Sequence, residues 1–184
     1  EKSNPPKIEG EIFALICPHA GYLYSGQVAA YGYKLVQGKD YKTVVIIASS
    51  HFSAFRGISV YAQGSFLTPL GVVEVDSDFT TNILNKDSRI FFEPAYFKKE
   101  HPIEVQIPFL QKVLKPGWKL VPIVMGLTAM PDCQRLADLL KEVIGNRRDV
   151  LVIASTDMYH GYDFEEQKIM DNLTVSYLKN MDAQ

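Results

Sequence analysis

Four histidines stand where a folded chain could bring them together. His19, His51 and His160 each follow a short apolar run, and His101 opens a stretch with helical spacing. Imidazole is the commonest protein ligand for zinc, iron and copper, so two or three such rings in one crevice could form a metal shell with open positions for water or substrate. Asp157, just before His160, could orient an imidazole by hydrogen bonding or serve as a base. A single strand-end histidine is more often a satisfied polar residue than a ligand; the functional reading rests on several of them converging. Cys17 reads as a buried small apolar residue and Cys133 as structural, on the core face of a helix. Glu104 either reaches the site from the first turn of its helix or serves as a cap, and Tyr22 and Tyr24 either line a pocket or pack. The Gly-x-Ser-x-Gly elbow, the Walker loop, the dinucleotide glycine motif, Cys-x-x-Cys and His-Glu-x-x-His are all absent.

The elements that would position these residues form an α/β pattern. Ile12–Cys17, Val44–Ala48 and Val150–Ala154 are apolar runs suited to strands buried on both faces of a parallel sheet. In such sheets ligands bind beyond the carboxyl ends of the strands, which is where His19, His51 and His160 would lie. After the first strand, Ser25 is expected to cap a helix with Val28, Tyr31 and Leu35 inward and Gly38 as the stop, completing a βαβ unit. Residues 58–62 and 72–75 read as a small antiparallel excursion, and Asp76 or Ser77 opens a helix through Leu84. The helix beginning at Glu100-His101-Pro102 should bury Ile103, Ile107, Leu110 and Leu114 and kink at Pro108. Lys119–Met125 is a strand whose Pro122 argues for an edge or a bulge. A helix from Pro131 to Ile144 should turn Cys133, Leu136, Leu140 and Val143 inward. Asp163 with Glu166 starts a last helix, to about Met181. The expectation is a three-layer sandwich: a largely parallel central sheet flanked by helices, plus the small antiparallel excursion.

With 184 residues, 47% hydrophobic and 22% charged, the chain is sized for one core. Residues 1–184 read as a single domain, with 1–10 an arm or linker. The absence of an initiator Met and the end soon after a helix suggest that it is incomplete at both ends. A net charge of −2 without a basic patch argues against nucleic acid as a partner. No run is long and apolar enough to span a membrane, no signal peptide is visible, and two cysteines suit a reduced cytoplasm.

Four blocks carry a family resemblance: Pro18-His19-Ala20-Gly21-Tyr22-x-Tyr24-Ser25-Gly26, Ser49-Ser50-His51, Glu100-His101-Pro102-Ile103-Glu104-Val105-Gln106-Ile107-Pro108-Phe109-Leu110, and Ser155-Thr156-Asp157-x-x-His160-Gly161. In order and interval they resemble the signature blocks of the MEMO family, over about residues 8 to 180. That family is similar in fold to the class III extradiol dioxygenases, which are non-haem iron enzymes. The resemblance implies an iron-type redox site, with copper or zinc as alternatives. His19 and His51 match the family's histidine ligands, and Asp157 and His160 its acid/base pair. His101 matches a histidine that touches the ligands or the substrate, a role extended to Glu104, Ser50 and Tyr22. The family's third ligand, a cysteine near its C-terminus, has no counterpart here, so metal is expected to be weak or absent in this chain.

Three functions follow as expectations. The first is an iron (or copper) oxidoreductase of dioxygenase-like architecture acting on a small molecule, with Asp157 and His160 moving protons. The second is a zinc-type metallohydrolase using the same cluster. The third is a scaffold whose pocket recognises a peptide. Prokaryotic relatives recur beside a radical-SAM enzyme and an AMMECR-type protein, which the resemblance offers as pathway partners.

Overall fold

A computed structural model describes residues 3–182 of the 184. Its centre is a six-stranded sheet in the order β1-β8-β2-β7-β3-β6. The strands are β1 (Ala14–Cys17), β2 (Thr43–Ser49), β3 (Ile58–Val60), β6 (Ile90–Phe91), β7 (Lys119–Met125) and β8 (Val150–Ser155). Every neighbouring pair is parallel except β3 with β7. A separate antiparallel hairpin joins β4 (Ser65–Thr68) to β5 (Gly71–Glu74).

The alternation along β2 shows why this sheet is covered on both sides. Val44 and Ile46 join one apolar cluster, with Tyr33 from α1 (Tyr22–Leu35), Val36 just after it, and Ile107 and Leu110 from α3 (Ile107–Val113). Val45 joins the other, with Phe79 and Ile83 from α2 (Ser77–Lys86) and Leu136, Leu139 and Leu140 from α4 (Met130–Ile144). Ile46, Ile123, Leu151 and Ile153 are wholly buried, each contributing roughly 1.5–3 kcal/mol of transfer free energy. This commits β2, β7 and β8 to the interior and makes the three-layer α/β sandwich expected from the sequence.

Several elements depart from that expectation. Pro122 lies in a central strand, not at an edge. Its carbonyl accepts from Tyr61 N at 3.0 Å, one residue beyond the end of β3. The N–H and C=O of a strand residue point to the same side, so the missing donor faces the place where the β3 ladder has stopped. Pro108 opens α3 instead of kinking it, after a 3-10 turn over Glu104–Gln106; a first-turn proline removes no helical bond. Helix α1 begins at Tyr22 with Gly21 as its cap, and Ser25 Oγ instead donates to the Ala20 carbonyl. Val28 and Tyr31 are exposed while Ala29 and Tyr33 are buried. Apolar residues surround this helix, and the face holding Tyr33 goes inward because its hydroxyl finds a buried partner in Gln106. Cys133 is exposed, while Leu136 and Leu140 face inward as expected. Ile58–Val60 belongs to the main sheet, so only 65–74 forms the separate hairpin.

Of the arm at 1–10, residues 1 and 2 lie outside the described residues, and Ser3 is buried where Gln27 Nε2 donates to its hydroxyl at 3.0 Å. Helix α5 (Phe164–Asn180) is capped by Asp163, which accepts from Glu166 N, and buries none of its residues. Among the described residues no helix is long and apolar enough to cross a membrane.

Beyond β7 the chain passes so close to the Phe55 backbone that a Cβ at Gly126 would overlap the Phe55 carbonyl. Here Gly126 N bonds Gly57 O and Leu127 N bonds Phe55 O, so neither segment can withdraw cheaply. Gly126→Ala is expected to lower stability by about 1–3 kcal/mol, read as a fall in the denaturant midpoint at unchanged slope.

Candidate metal centre

Strands β1, β8 and β2 are neighbours, so their carboxyl ends open onto one crevice. The residues just past them are His19, Asp157 and His51. The fourth group, His101, enters on the segment before the 3-10 turn. The ring centroids are 5.1 Å apart for His19 and His51, 5.7 Å for His19 and His101, and 5.0 Å for His51 and His101. One potential ligand atom from each of the three lies within 4.8 Å of the others. Tetrahedral bonds of about 2.1 Å need nitrogens roughly 3.4 Å apart, so small side-chain rotations would seat a divalent ion on this set.

Each of two rings is held by its Nδ1. His51 Nδ1 lies 3.2 Å from Glu100 Oε2, a carboxylate that can only accept; His51 therefore donates there and presents a bare Nε2. Glu100 is itself buried and accepts from Ser50 Oγ at 2.8 Å, His51 N at 2.7 Å and Phe52 N at 2.9 Å. Burial alone would raise its pKa, but the bonds from Phe52, Ser50 and His51 together outweigh that and hold the carboxyl below its ordinary value. His19 is 4% exposed and its Nδ1 lies 3.1 Å from Ser155 Oγ. Burial lowers its pKa, with Asp157 opposing and His51 and His101 adding to the lowering, so the imidazole is neutral and available as a donor at neutral pH.

Asp157 fixes the His19 loop: its Oδ1 accepts from His19 N at 2.7 Å and Ala20 N at 3.2 Å. Its other oxygen is 3.8 Å from His19 Nε2 and 3.8 Å from His160 Nε2. His160 is largely exposed, and its Nδ1 donates to the Met158 carbonyl at 2.8 Å, which turns Nε2 toward Asp157. Thus a half-buried carboxylate edge and an exposed imidazole adjoin the histidine triangle.

The other sequence candidates fall into two groups. Ser50 touches the centre through Glu100. Tyr22, more than half exposed, gives its hydroxyl to the Val105 carbonyl, with the exposed Glu104 carboxylate nearby; no hydrogen bond or ion pair ties these two to the three histidines. Sequence reading missed Glu100, Ser155 and Gln106. By sequence Glu100 reads as a helix-start residue, and only its pairing across 49 positions reveals it as the anchor of His51. The sequence signal was present in the unbroken Glu100-His101 pair.

A family model described as "Memo-like protein" matches residues 1–184. The chain belongs to this family. Among curated relatives, all named MEMO1 family protein, the Memo-like chain is 38% identical over 176 residues to that of Caldivirga maquilingensis, covering 94% of this chain and 62% of the relative. It is 33% identical over 185 residues to that of Sulfolobus acidocaldarius, covering 98% of this chain and 64% of the relative. With the protein of Aquifex aeolicus it shares 32% over 179 residues, covering 97% and 66%. The chain thus spans a little under two thirds of the length of these relatives.

Cys17, in the Memo-like first block, is 1% exposed and packs in the core with its thiol against Tyr33 and Gly32. Burial pushes the thiol up to about 11, against a smaller lowering by the Tyr33 hydrogen bond. A thiol so protonated and enclosed is a poor nucleophile and a poor ligand. A disulfide reagent should therefore titrate Cys133 alone in the native chain and both cysteines after denaturation; reaction of Cys17 in the native state would contradict this burial.

Proposed function

We propose that this Memo-like chain holds a divalent transition metal on His19, His51 and His101, and that the site serves redox chemistry on a small oxidisable substrate. The observation that carries this reading is the three-imidazole triangle, its ligand atoms within 4.8 Å of one another, with His19 and His51 beyond the carboxyl ends of β1 and β2, which flank β8, and His101 on the segment before the 3-10 turn. A bound iron or copper would supply open positions for substrate and for one-electron chemistry. The chain's own residues do the rest. Glu100 and Ser155 aim the rings of His51 and His19. Asp157 Oδ2, at the inner edge, accepts a proton from a substrate hydroxyl or thiol, and the exposed His160 Nε2 passes protons to solvent. The Asp157 carboxylate supports iron over softer ions, since hard divalent iron favours an anionic oxygen near its nitrogens.

A zinc-dependent hydrolytic site is the second reading, favoured by the neutrality of the three-imidazole set, which is a known catalytic zinc shell. Elemental analysis of anaerobically purified chain, with oxygen consumption measured over catechols, thiols and ascorbate, separates the two. Iron or copper that is lost in the His19→Ala/His51→Ala double variant supports the redox reading. Metal retained by that variant sinks both readings, and zinc with no reductant-reversible aerobic inactivation selects the second.

A further inference from the structure

A fully enclosed polar network runs from the histidine triangle into the core. Gln106 has no exposed surface, and Ser155 and His19 are 3% and 4% exposed. No buried side-chain nitrogen or oxygen among the described residues lacks a partner. Such a network, completely satisfied in a dry setting, has few ways to arrange its protons.

The orientations can be worked out from the groups that can only accept. Gln106 Nε2 lies 3.0 Å from the Pro18 carbonyl, so the amide nitrogen must face it. The same nitrogen donates to Ser155 Oγ at 2.7 Å, while Gln106 Oε1 accepts from Tyr33 at 2.6 Å. Ser155 therefore cannot give its proton to Gln106. Its hydroxyl lies 2.7 Å from the Pro102 carbonyl, another group that only accepts. Donating there leaves Oγ two lone pairs, one taken by Gln106 and the other facing His19 Nδ1 at 3.1 Å.

We infer that Ser155, clamped by Gln106 and the Pro102 carbonyl, is a positioning residue that fixes His19 in its Nδ1–H tautomer and so leaves Nε2, 3.8 Å from Asp157 Oδ2, as the unprotonated nitrogen offered to the cluster. The opposite tautomer would require Ser155 to turn its proton to His19, taking from the Pro102 carbonyl the buried donor it now has. Gln106 closes the remaining escape by denying Ser155 an acceptor on the amide side. The network thus sets, from two residues deep, which ring nitrogen is offered to the cluster. Its use in metal binding rests on the proposed metal site, whereas the tautomer does not.

The test keeps the two apart. Long-range proton–nitrogen correlation spectra of the metal-free chain, recorded at a pH where the ring is neutral, should show His19 protonated at Nδ1 alone. In Ser155→Ala the signals should move toward a mixture of tautomers. Zinc titrated into the same samples should bind the variant roughly 10- to 100-fold more weakly than the parent. A wild-type His19 protonated at Nε2, or an unchanged single tautomer in Ser155→Ala, overturns the inference whether or not zinc binds. A wild type with the expected tautomer that takes up no zinc upholds the assignment of Ser155 and overturns the metal reading instead. The wild-type spectrum decides the tautomer even if the variant does not fold.

Discussion

Replacing His101 by alanine is expected to weaken zinc or iron(II) binding on the order of 100- to 1,000-fold, because structural zinc sites with four ligands bind with about 10–16 kcal/mol, or roughly 2.5–4 kcal/mol per ligand. The resemblance read from the sequence gives His101 a contact role and assigns the third ligand to a cysteine with no counterpart in residues 1–184. The geometry places the ring centroid of His101 5.0 Å from that of His51 and 5.7 Å from that of His19, within reach of the same ion. A competitive titration against a chromogenic chelator distinguishes these roles. Loss of binding makes His101 a ligand; affinity within a few-fold of the parent returns it to substrate contact. Stability of the metal-free chain should barely change, since His101 is partly exposed and none of its ring nitrogens is committed to a hydrogen bond.

Glu100→Ala is expected to act on both stability and the site. The carboxylate accepts from two backbone N–H groups, His51 N and Phe52 N, as well as from Ser50 Oγ and the His51 ring. Orphaning the two backbone donors costs about 2–4 kcal/mol, which for a chain of this size is a fall in melting temperature of roughly 5–15 °C. Freed from Nδ1, the His51 ring loses its orientation, and metal affinity should fall by roughly 10- to 100-fold. Glu100→Gln can keep Oε1 for Ser50 Oγ, His51 N and Phe52 N but sets its amide NH2 against His51 Nδ1, so it should fall between alanine and the parent in both thermal unfolding and metal titration. A Glu100→Ala chain with unchanged melting and binding would show that the loop is held by other means.

The sheet and its histidine-bearing ends were legible because buried parallel strands are written locally, as runs such as Val44–Ala48, and because loops after such strands open on one side. What escaped was set by contacts between distant segments. The face of α1 could not be read from its spacing, since apolar residues lie all round it, and the choice turned on Tyr33 meeting Gln106 across 73 positions. Pro122 pointed to an edge because proline lacks a donor, yet the ladder ends beside it at Tyr61. Cys133 fits a helical apolar stripe, but it lies in the first turn of α4 and is exposed, while the burial falls further along the helix at Leu136, Leu139 and Leu140. At the site, His51 was visible but its anchor Glu100 was not, and His101 came within reach of the others only through the path of the segment before α3.

The pairing of β1 with β8 joins Ala14–Cys17 to residues 152–155, and His19 meets Ser155 and Asp157 across 136 and 138 positions. Contacts of such sequence separation close late, because the loop entropy of everything between them must be given up first. The crevice therefore cannot pre-exist in a partly folded chain: β2 and β7 can pair, and α3 can pack, before His19 has any partner. On refolding, the affinity of the histidine triangle for an added metal ion should appear together with the slowest structural phase, when the first strand docks onto the last. An ion captured there would slow undocking of β1 more than it would speed the earlier steps, acting as a clasp on the edge of the sheet.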